Sequence, residues 1–440
     1  MKTQLKYYFK KLIRQGFTFQ RISKELQKSQ YFSAEQLDEL QNKKLRKLVR
    51  HCYKNVPYYT ELFKQLNLKP EDIQKKEDLK KLPYLDKHIV RENFDKLVAR
   101  NKSKRLCNIG KTSGTTGTPL NIYRDYHSIN FENAAIYRHY NNVVDFSQKK
   151  ITLRGQVVVP VDTKTPPFWE YNSADNELIM SSYHLSDKTA EIYIKKIKEF
   201  NPKTICAYPS SVYLLATHFE KVNQQLKLKA VFTSSEKTKE NQRELIEKVF
   251  NCKVYDWYGQ AERASAIGQC EKGTYHVIED YSITETIETG NDLEVVGTNL
   301  DNYTMPLLRY KTGDTINLAT NKCTCGRYFR EVADISGRET SYYIMTAEGT
   351  KVTAFDHFAR DVQNIIEAQI VQEKIGELII NVTTNGKFSE NDKELLVKNT
   401  LQHTFSDMSV IVNVVSEIPR GPNGKFVSVI NKLIGKNDAE

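Results

Sequence analysis

The spacing of hydrophobic residues divides the chain into three parts. Residues 3–28 and 35–66 carry apolar side chains with the three-to-four-residue period of amphipathic helices. From about residue 105 to 335, short apolar runs alternate with helical patterns, which is typical of parallel βα units. Beyond Ile335, strand and helix patterns mix, which indicates a separate small α+β domain.

This pattern predicts an α/β fold with two domains. The large N-terminal domain covers residues 1–336 and is helical over 1–100, and the small C-terminal α+β domain covers 337–440. The predicted strands are 120–124, 151–153, 157–159, 205–207, 230–232, 254–255, 375–382 and 410–415. The predicted helices after residue 100 are 189–200, 212–225, 239–250, 354–366 and 390–402.

The first helix allows two interpretations. Leu5, Phe9, Leu12 and Ile13 fall on one of its faces. We predict that this face docks on the protein's own core; a helix lying on a membrane surface is the alternative.

Composition narrows the class of protein. A length of 440 residues favours two domains, and no apolar run approaches the length of a bilayer span. The basic N-terminus lacks the continuous apolar centre of a signal peptide. Seven cysteines, an odd number, argue against a disulfide framework and for a reducing compartment, so we expect a cytoplasmic protein.

The net charge of +11 results from 65 basic and 54 acidic residues. Lys-rich stretches at 43–50, 75–81 and 195–203 favour solvated helix surfaces over a nucleic-acid site. A polyanion-binding protein remains the alternative from another class, whereas an anionic small ligand also suits the sign of the charge.

A loop rich in Ser, Thr and Gly is the first candidate for chemistry. Residues 111–120 read Lys-Thr-Ser-Gly-Thr-Thr-Gly-Thr-Pro-Leu, which cannot pack a core but can direct N–H groups and hydroxyls at phosphate oxygens. It is not a Walker A loop, because no Gly-Lys-Ser/Thr follows at the required spacing. Taken alone, it could equally be a plain turn.

Four further segments favour the phosphate-binding interpretation of this loop over a plain turn. They are 257–262 (Trp-Tyr-Gly-Gln-Ala-Glu), 310–314 (Tyr-Lys-Thr-Gly-Asp), 336–338 (Ser-Gly-Arg) and 419–425 (Pro-Arg-Gly-Pro-Asn-Gly-Lys). Together with the loop, and with 47–60 and 79–87, they resemble the adenylate-forming acyl-CoA synthetase superfamily, specifically its phenylacetate–CoA ligase-like branch. Residues 208–216 resemble the CapK-type subgroup, which is often encoded with surface-polysaccharide genes.

The resemblance implies a large adenylation domain, a mobile C-terminal lid, and a role for each matching residue. Glu262 would hold Mg²⁺, Asp314 would accept both ribose hydroxyls, and Arg338 would touch ribose or phosphate. The phosphates of ATP would be held by Thr112, Ser113, Gly114, Thr115, Thr116, Gly117 and Thr118.

Lys425 would reach between the carboxylate and the α-phosphate as a point charge on a flexible stem. Because it lies on the small domain, catalysis would require that domain to close. Tyr258 and Gly259 would border the adenine, with Ser235 and Glu236 as the preceding wall. The hinge position of the family falls on Thr340, where an acidic residue is usual.

Three cysteines and one histidine suggest a second site. Cys270, His276, Cys323 and Cys325 suit a closed tetrahedral Zn²⁺ site with a structural role. The alternative is a set of buried or free thiols beside a surface histidine. Cys52, Cys107, Cys206 and Cys252 are interpreted as small core residues.

The sequence therefore predicts an ATP-dependent, AMP-forming carboxylate ligase that passes an acyl group to a thiol, most simply coenzyme A. Transfer to an amine or hydroxyl of a sugar or carrier is the alternative within the class, and a catalytically inactive adenylate-binding scaffold is another. We expect the acid to lie near 131–140, 233–236 and 259–261. The identity of the acid and the oligomeric state are not predicted.

Overall fold

The computed structural model describes residues 2–111, 120–160, 162–186, 188–290, 292–337, 344–347, 351–352, 358–359, 362–404, 408–420 and 426–433. Ten α-helices lie within these residues: α1 (Lys2–Gln15), α2 (Phe17–Ser29), α3 (Ala34–Asn55), α4 (Pro57–Gln65), α5 (Lys87–Glu92), α6 (Tyr126–Asn141), α7 (Ala190–Phe200), α8 (Pro209–Lys221), α9 (Glu240–Phe250) and α10 (Glu390–Thr404).

The strands of the large domain are β1 (Asn108–Lys111), β2 (Asn121–Arg124), β3 (Lys150–Arg154), β4 (Trp169–Asn172), β5 (Glu177–Ser181), β6 (Thr204–Ala207), β7 (Ala230–Ser234), β8 (Lys253–Gly259), β9 (Ala266–Gln269), β10 (Tyr275–Val277), β11 (Ser282–Thr289), β12 (Asp292–Asn299), β13 (Tyr310–Leu318) and β14 (Glu331–Gly337). Those that follow are β15 (Ile344–Met345), β16 (Lys351–Val352), β17 (Ile365–Gln372), β18 (Glu377–Thr384), β19 (Ser409–Val414) and β20 (Val429–Asn431).

Local sequence signals explain where several helices begin and end. Ser33 caps α3 in a reciprocal capping box with Gln36, and Asp125 caps α6 by accepting from the backbone N–H of Ser128 at 2.8 Å. The helix predicted over 35–66 is divided because Pro57 cannot continue α3 and instead starts α4. Asn201 ends α7 in the left-handed conformation, which asparagine tolerates better than most residues.

One large sheet contains twelve strands, in the order β11-β12-β13-β14-β10-β9-β8-β7-β6-β3-β5-β4. Strands β5, β3, β6, β7 and β8 run parallel, as the alternating pattern predicted. The other neighbours pair antiparallel, from β8 outward to β11 and from β5 to β4. Helices α7, α8 and α9 cover a buried apolar face of the parallel half.

The second domain contains a four-stranded sheet in the order β19-β18-β17-β20. β17 and β18 pair antiparallel, whereas β18–β19 and β17–β20 are parallel. Leu396 of α10 is fully buried and belongs to the same apolar cluster as Ile370, Leu378 and Ile380 of this sheet. The predicted fold class is therefore confirmed: α/β with a small α+β second domain.

Three local predictions were wrong. Residues 157–159 lie in an irregular segment before Pro160, not in a strand. The helix predicted over 354–366 does not reach its predicted end, because Ile365 begins β17 and pairs with Thr384. Cys107 and Cys252 are only half-buried, whereas Cys52 and Cys206 are buried as predicted.

The first helix also differs from its prediction. The face with Leu5, Phe9, Leu12 and Ile13 does not dock on the core; all four side chains are exposed. The periodicity located the face correctly but not the direction in which it points. Among the described helices, none is long and apolar enough to cross a bilayer.

Candidate active site and metal centre

The central parallel strands β7 and β8 end side by side, and the predicted site residues follow them. Ser234 closes β7 opposite Trp257 of β8, and the chain then turns through Ser235, which has a φ of 74°. Few non-glycine residues adopt this conformation without local support. We call this end of the sheet the carboxyl edge; in open α/β sheets such edges are where ligands bind.

Glu262 lies in the turn after β8 and is only 2% exposed. The Tyr310 hydroxyl, at the start of β13, donates to Glu262 Oε1 at 2.7 Å. Tyr310 itself is fully buried in the apolar cluster beneath the N-terminal helices. A buried carboxylate is costly unless it is hydrogen-bonded or paired with a cation, so this acid is fixed in position by the packed core.

Asp314 meets Tyr258 at the same edge. The Tyr258 hydroxyl donates to Asp314 Oδ2 at 2.7 Å and accepts from Gln260 Nε2 at 2.8 Å. Burial, and then the Asp314 charge, raise the pKa of Tyr258 well above its ordinary value, so the phenol stays a donor. The Tyr258 ring is half-buried and packs against the apolar cluster that includes Ile267.

Glu236 connects the two domains. Its Oε2 accepts from the backbone N–H of Ser210 in the first turn of α8, and its Oε1 accepts from the backbone N–H of Phe426, both at 3.1 Å. A carboxylate at the N-terminal turn of a helix is also stabilised by the helix dipole. Phe426 directly follows Lys425 in the sequence, so the C-terminal domain contacts the carboxyl edge at that point.

Several predicted residues lie outside the described part of the chain: Thr112, Ser113, Gly114, Thr115, Thr116, Gly117, Thr118, Arg338, Thr340 and Lys425. The strands that flank the Ser/Thr/Gly loop are described. β1 and β2 pair antiparallel from Asn108–Arg124 to Lys111–Asn121, so the loop joins the two strands of a hairpin.

Arg124 was missed by the sequence analysis. Its guanidinium crosses directly over Gly110, where an added Cβ would come within 1.9 Å of Cζ, so a larger residue there would displace the guanidinium. It donates to the carbonyl oxygen of Ala261, the residue before Glu262. Burial lowers the pKa of Arg124 to about 10, which leaves it charged at neutral pH. A cation thus connects the loop hairpin to the Glu262 turn.

Arg154, at the end of β3, was missed as well. Its Nη2 donates to the Tyr140 hydroxyl at 3.2 Å, and its Nε is enclosed without a hydrogen-bond partner among the described residues. Burial raises the pKa of the neighbouring Tyr208; Arg154 opposes that rise and Glu236 adds to it. The Tyr208 ring therefore lies in the field of both side chains, which places a second cation beside the carboxyl edge.

The four predicted metal ligands converge. Cys270 Sγ and Cys323 Sγ are 3.6 Å apart, Cys325 Sγ and His276 Nε2 are 3.5 Å apart, and all four ligand atoms lie within 4.8 Å of one another. His276 belongs to β10, which pairs with β14, and the two Cys-containing turns flank this strand pair. Strands β11–β13 lie in sequence between the two turns.

This geometry fits zinc. Zn–S bonds of about 2.3 Å at tetrahedral angles place two sulfurs about 3.8 Å apart, close to the observed separation. His276 Nδ1 lies 3.2 Å from the Phe329 carbonyl oxygen, to which it donates, so Nε2 carries the lone pair on the Cys325 side. Burial raises the pKa of the Cys270 thiol to about 12, so a thiolate there needs a cation beside it.

Comparison with known proteins supports the family resemblance. Residues 344–432 match the family model described as the CapK C-terminal domain. Protein CapK of Staphylococcus aureus is 28% identical over 406 residues, covering 90% of each chain. The phenylacetate-coenzyme A ligase of Thermus thermophilus is 24% identical, covering 78% of this chain and 80% of the relative. The resemblance predicted from the sequence is confirmed.

A solved structure shows the same fold. The crystal structure of 2-hydroxyisobutyryl-CoA ligase in the postadenylation state, in complex with an acyl-AMP, has a TM-score of 0.67 and 16% identity, and covers 92% of this chain and 91% of its own. The same ligase in the thioesterification state has a TM-score of 0.56. The chain therefore has the fold of this ligase.

Proposed function

We propose that the protein is an ATP-dependent carboxylate ligase that forms acyl-AMP and pyrophosphate and then acylates a thiol, with coenzyme A as the favoured acceptor. One observation carries the proposal. Glu262 and Asp314 both lie at the carboxyl edge, and the backbone N–H of Phe426, from the other domain, bonds to Glu236 beside them. The similarity to phenylacetate–CoA ligases supports the same reaction.

In the first step, a carboxylate oxygen of the acid attacks the α-phosphorus of ATP. The new P–O bond forms as the bond to the β-phosphate oxygen breaks, and pyrophosphate leaves. Both reactants are anionic, so cations and oriented donors must offset their repulsion. Among the described residues, Arg124 supplies a half-buried positive charge next to the Glu262 turn.

The nucleotide would be held by side chains from several elements. Asp314 would bind the ribose hydroxyls, and the half-buried ring of Tyr258 would stack on the adenine, bordered by Gly259, Ser235 and Glu236. We assign phosphate binding to residues 112–118 and contact with ribose or phosphate to Arg338. Glu262 offers the hard carboxylate oxygen that Mg²⁺ prefers. Bound Mg²⁺ would neutralise phosphate charge.

Lys425 is the residue that we assign to the meeting of the two anions. Its ammonium group would lie between the acid and the α-phosphate when the small domain is closed. The bond from the Phe426 N–H to Glu236 supports this, because it ties the neighbouring residue to the edge that holds the other candidates. We propose residues 337–440 as the lid and residues 1–336 as the adenylation domain.

In the second step, the thiol sulfur attacks the acyl carbon, AMP leaves, and the thiol proton passes to solvent. The similarity to CapK keeps one alternative in place: transfer of the acyl group to an amine or hydroxyl of a sugar or carrier. We propose a cytoplasmic location, which suits a nucleotide-dependent enzyme whose seven cysteines form no disulfide. For the Cys/His cluster we propose a structural Zn²⁺ with all four positions filled by protein.

The acid is proposed to lie against residues 131–140, 233–236 and 259–261. Arg154 contacts Tyr140 within the first of these segments and adds a cation there. A carboxylate or phosphate elsewhere on the acid would satisfy its enclosed Nε. The test panel should therefore include acids that carry a second anionic group as well as aromatic and aliphatic monoacids.

The experiment measures acid-dependent pyrophosphate release by the purified chain with ATP and Mg²⁺ across this panel. Products are identified by mass with and without coenzyme A. Pyrophosphate release with an acyl-CoA product supports the favoured reaction. Release that never yields a thioester, even at saturating coenzyme A, selects the amine or hydroxyl acceptor. A chain that binds ATP but releases no pyrophosphate with any acid class contradicts the proposal.

A further inference from the structure

Helix α1 packs on the protein through its polar side. Gln4 Nε2 donates to the Tyr171 carbonyl oxygen at 2.6 Å, and the Tyr7 hydroxyl donates to Glu170 Oε2 at 2.5 Å. Lys11 Nζ lies 3.1 Å from Asp175 Oδ1. These contacts fix α1 against the turn and strand around β4, so the helix has a defined orientation on the large domain.

The opposite side of α1 is apolar and faces outward. At 100° per residue, positions 5, 8, 9, 12 and 13 form one continuous arc. We call this arc the outer face; its exposed fractions are Leu5 72%, Tyr8 54%, Phe9 64%, Leu12 67% and Ile13 38%. Phe17, the first residue of α2, extends it and is 81% exposed.

This arrangement is the reverse of an ordinary surface helix, which buries its apolar stripe and exposes its polar one. Single exposed apolar side chains are common on soluble proteins, whereas a contiguous patch of this kind marks an interaction surface. No described part of the chain covers the outer face. Among the described residues the outer face is therefore an unpartnered apolar surface, which a partner of matching chemistry would remove from water.

The charge around the outer face selects that partner. Residues 1–24 contain seven basic side chains and no acidic one. Lys11 pairs with Asp175 on the packed side of α1, and Arg21 Nε lies 3.9 Å from Glu25 Oε1; the others are Lys2, Lys6, Lys10, Arg14 and Lys24. A second copy of the chain docking through the same face would bring two such sets together, which like-charge repulsion disfavours. An anionic surface is attracted instead, and each basic residue near a lipid headgroup layer adds to the attraction.

We propose that the outer face of α1, with Phe17, binds the surface of a lipid bilayer that contains anionic lipids. The helix would lie in the plane of the interface, with its apolar side chains among the upper acyl chains and its flanking lysines at the headgroups. Membrane binding by the outer face does not depend on the reaction assigned to the carboxyl edge. The consequence is an enzyme held reversibly at a membrane surface rather than spanning it.

The test is vesicle flotation of the full chain, with phosphatidylcholine vesicles compared to vesicles that contain about one third phosphatidylglycerol. We expect binding to the anionic vesicles that weakens when salt is raised from about 0.1 M to about 0.5 M, because the Debye length shrinks. A triple variant, Leu5→Ser with Phe9→Ser and Leu12→Ser, should bind at least about tenfold more weakly. A matched control changes two exposed side chains of β19, Ile411→Ser and Val414→Ser, and should bind like the parent chain.

Three outcomes would overturn the proposal. The first is that the parent chain does not float with anionic vesicles. The second is that the triple variant floats as well as the parent. The third is a parent that is dimeric by sedimentation velocity while the triple variant is monomeric, which would identify the outer face as a self-interface. Circular dichroism of each variant shows that helix content is unchanged, and pyrophosphate release in solution should be the same for all three proteins.

Discussion

The carboxyl edge and the Cys/His cluster lie on the same twelve-stranded sheet but satisfy their polar groups differently. At the edge, tyrosine hydroxyls donate hydrogen bonds to the carboxylates: Tyr310 donates to Glu262, and Tyr258 donates to Asp314. In the cluster, three sulfurs and one imidazole nitrogen face one another at contact distance. The carboxylates of the edge therefore have hydrogen-bond donors from the protein itself and can keep their positions before a ligand binds. The sulfur and nitrogen atoms of the cluster have one another as neighbours and need a cation between them.

The largest expected effect belongs to the cluster. Cys270→Ser should abolish stoichiometric zinc in the purified chain and lower the free energy of unfolding by about 4 kcal/mol or more, the range of a lost metal. The reason is that the remaining ligands no longer tie the turns on either side of β10 and β14. Elemental analysis measures the zinc content, and urea unfolding measures the free energy of unfolding.

The matched control, Cys252→Ser, alters a half-buried thiol outside the cluster and should lower the free energy of unfolding by about 1 kcal/mol. Purified parent chain without zinc would contradict this half of the comparison.

At the edge, the effect should be on rate rather than on folding. Glu262→Gln retains an oxygen that can accept from Tyr310 but removes the charge. We expect the adenylation rate to fall about a hundredfold, or about 3 kcal/mol, with little change in thermal stability. Glu247→Gln removes a half-buried carboxylate that pairs with Lys253 at the first residue of β8, the opposite end of that strand, and should leave the rate intact. A Glu262 variant with normal pyrophosphate release would show that this acid is only structural.

Asp256 of β8 lies between the two regions and predicts a pH effect on stability. Burial raises its pKa to about 6, despite hydrogen bonds from Thr233 at 2.9 Å and Tyr275 at 3.1 Å. An acid with a higher pKa in the folded state binds its proton more tightly when folded, so this contribution is present near pH 4 and is lost as the pH rises through about 6.

Asp256→Asn should remove that dependence, so the variant should gain stability relative to the parent between pH 4 and pH 7 by up to about 2–3 kcal/mol. Urea unfolding of both proteins across this range measures the difference. A difference that does not vary with pH would show that Asp256 titrates normally.

A smaller effect is expected at Asp314. Asp314→Asn should raise the KM for ATP about tenfold, or about 1.4 kcal/mol, because one of two acceptors for the ribose is replaced by an amide donor. Tyr258→Phe retains the ring for stacking and loses only the hydroxyl bonded to Asp314, so its KM should change less. Initial rates over a range of ATP concentrations give both values. Equal effects of the two changes would mean that Asp314 acts through Tyr258 alone.

The sequence allowed good prediction of elements whose identity is set locally. The helices predicted over 189–200 and 239–250 differ from α7 and α9 by one residue, because a regular apolar stripe and an Asn at each C-terminal cap define them. The strand predicted over 157–159 was wrong because an apolar segment forms a strand only where a neighbouring strand is available to pair with it. The predicted helix end at 366 failed because pairing with β18 decides the conformation of Ile365 and its neighbours.

The candidate site divides in the same way. Glu262, Asp314 and the Cys/His cluster that we propose to bind zinc could be proposed from the sequence because each sits in a motif of recognisable spacing. Arg124 and Arg154 could not, since their importance depends on pairing between distant segments, such as the β1–β2 hairpin that brings Gly110 under Arg124. Tyr310 lies in a recognised motif, but its hydrogen bond to Glu262 was not predicted. Periodicity likewise located the apolar face of α1 but could not show that Tyr7 and Lys11 would anchor the helix by its other side.

The most direct test of the central claim is ATP–pyrophosphate exchange by Lys425→Ala beside Lys432→Ala. Lys432 is an exposed lysine of the same domain and serves as the matched control; its Nζ lies 2.6 Å from Glu373 Oε1. We predict that Lys425→Ala reduces acid-dependent exchange at least about a hundredfold while ATP binding and the Lys432→Ala rate stay at the parent level. A Lys425→Ala chain that exchanges pyrophosphate at the full rate would contradict the account.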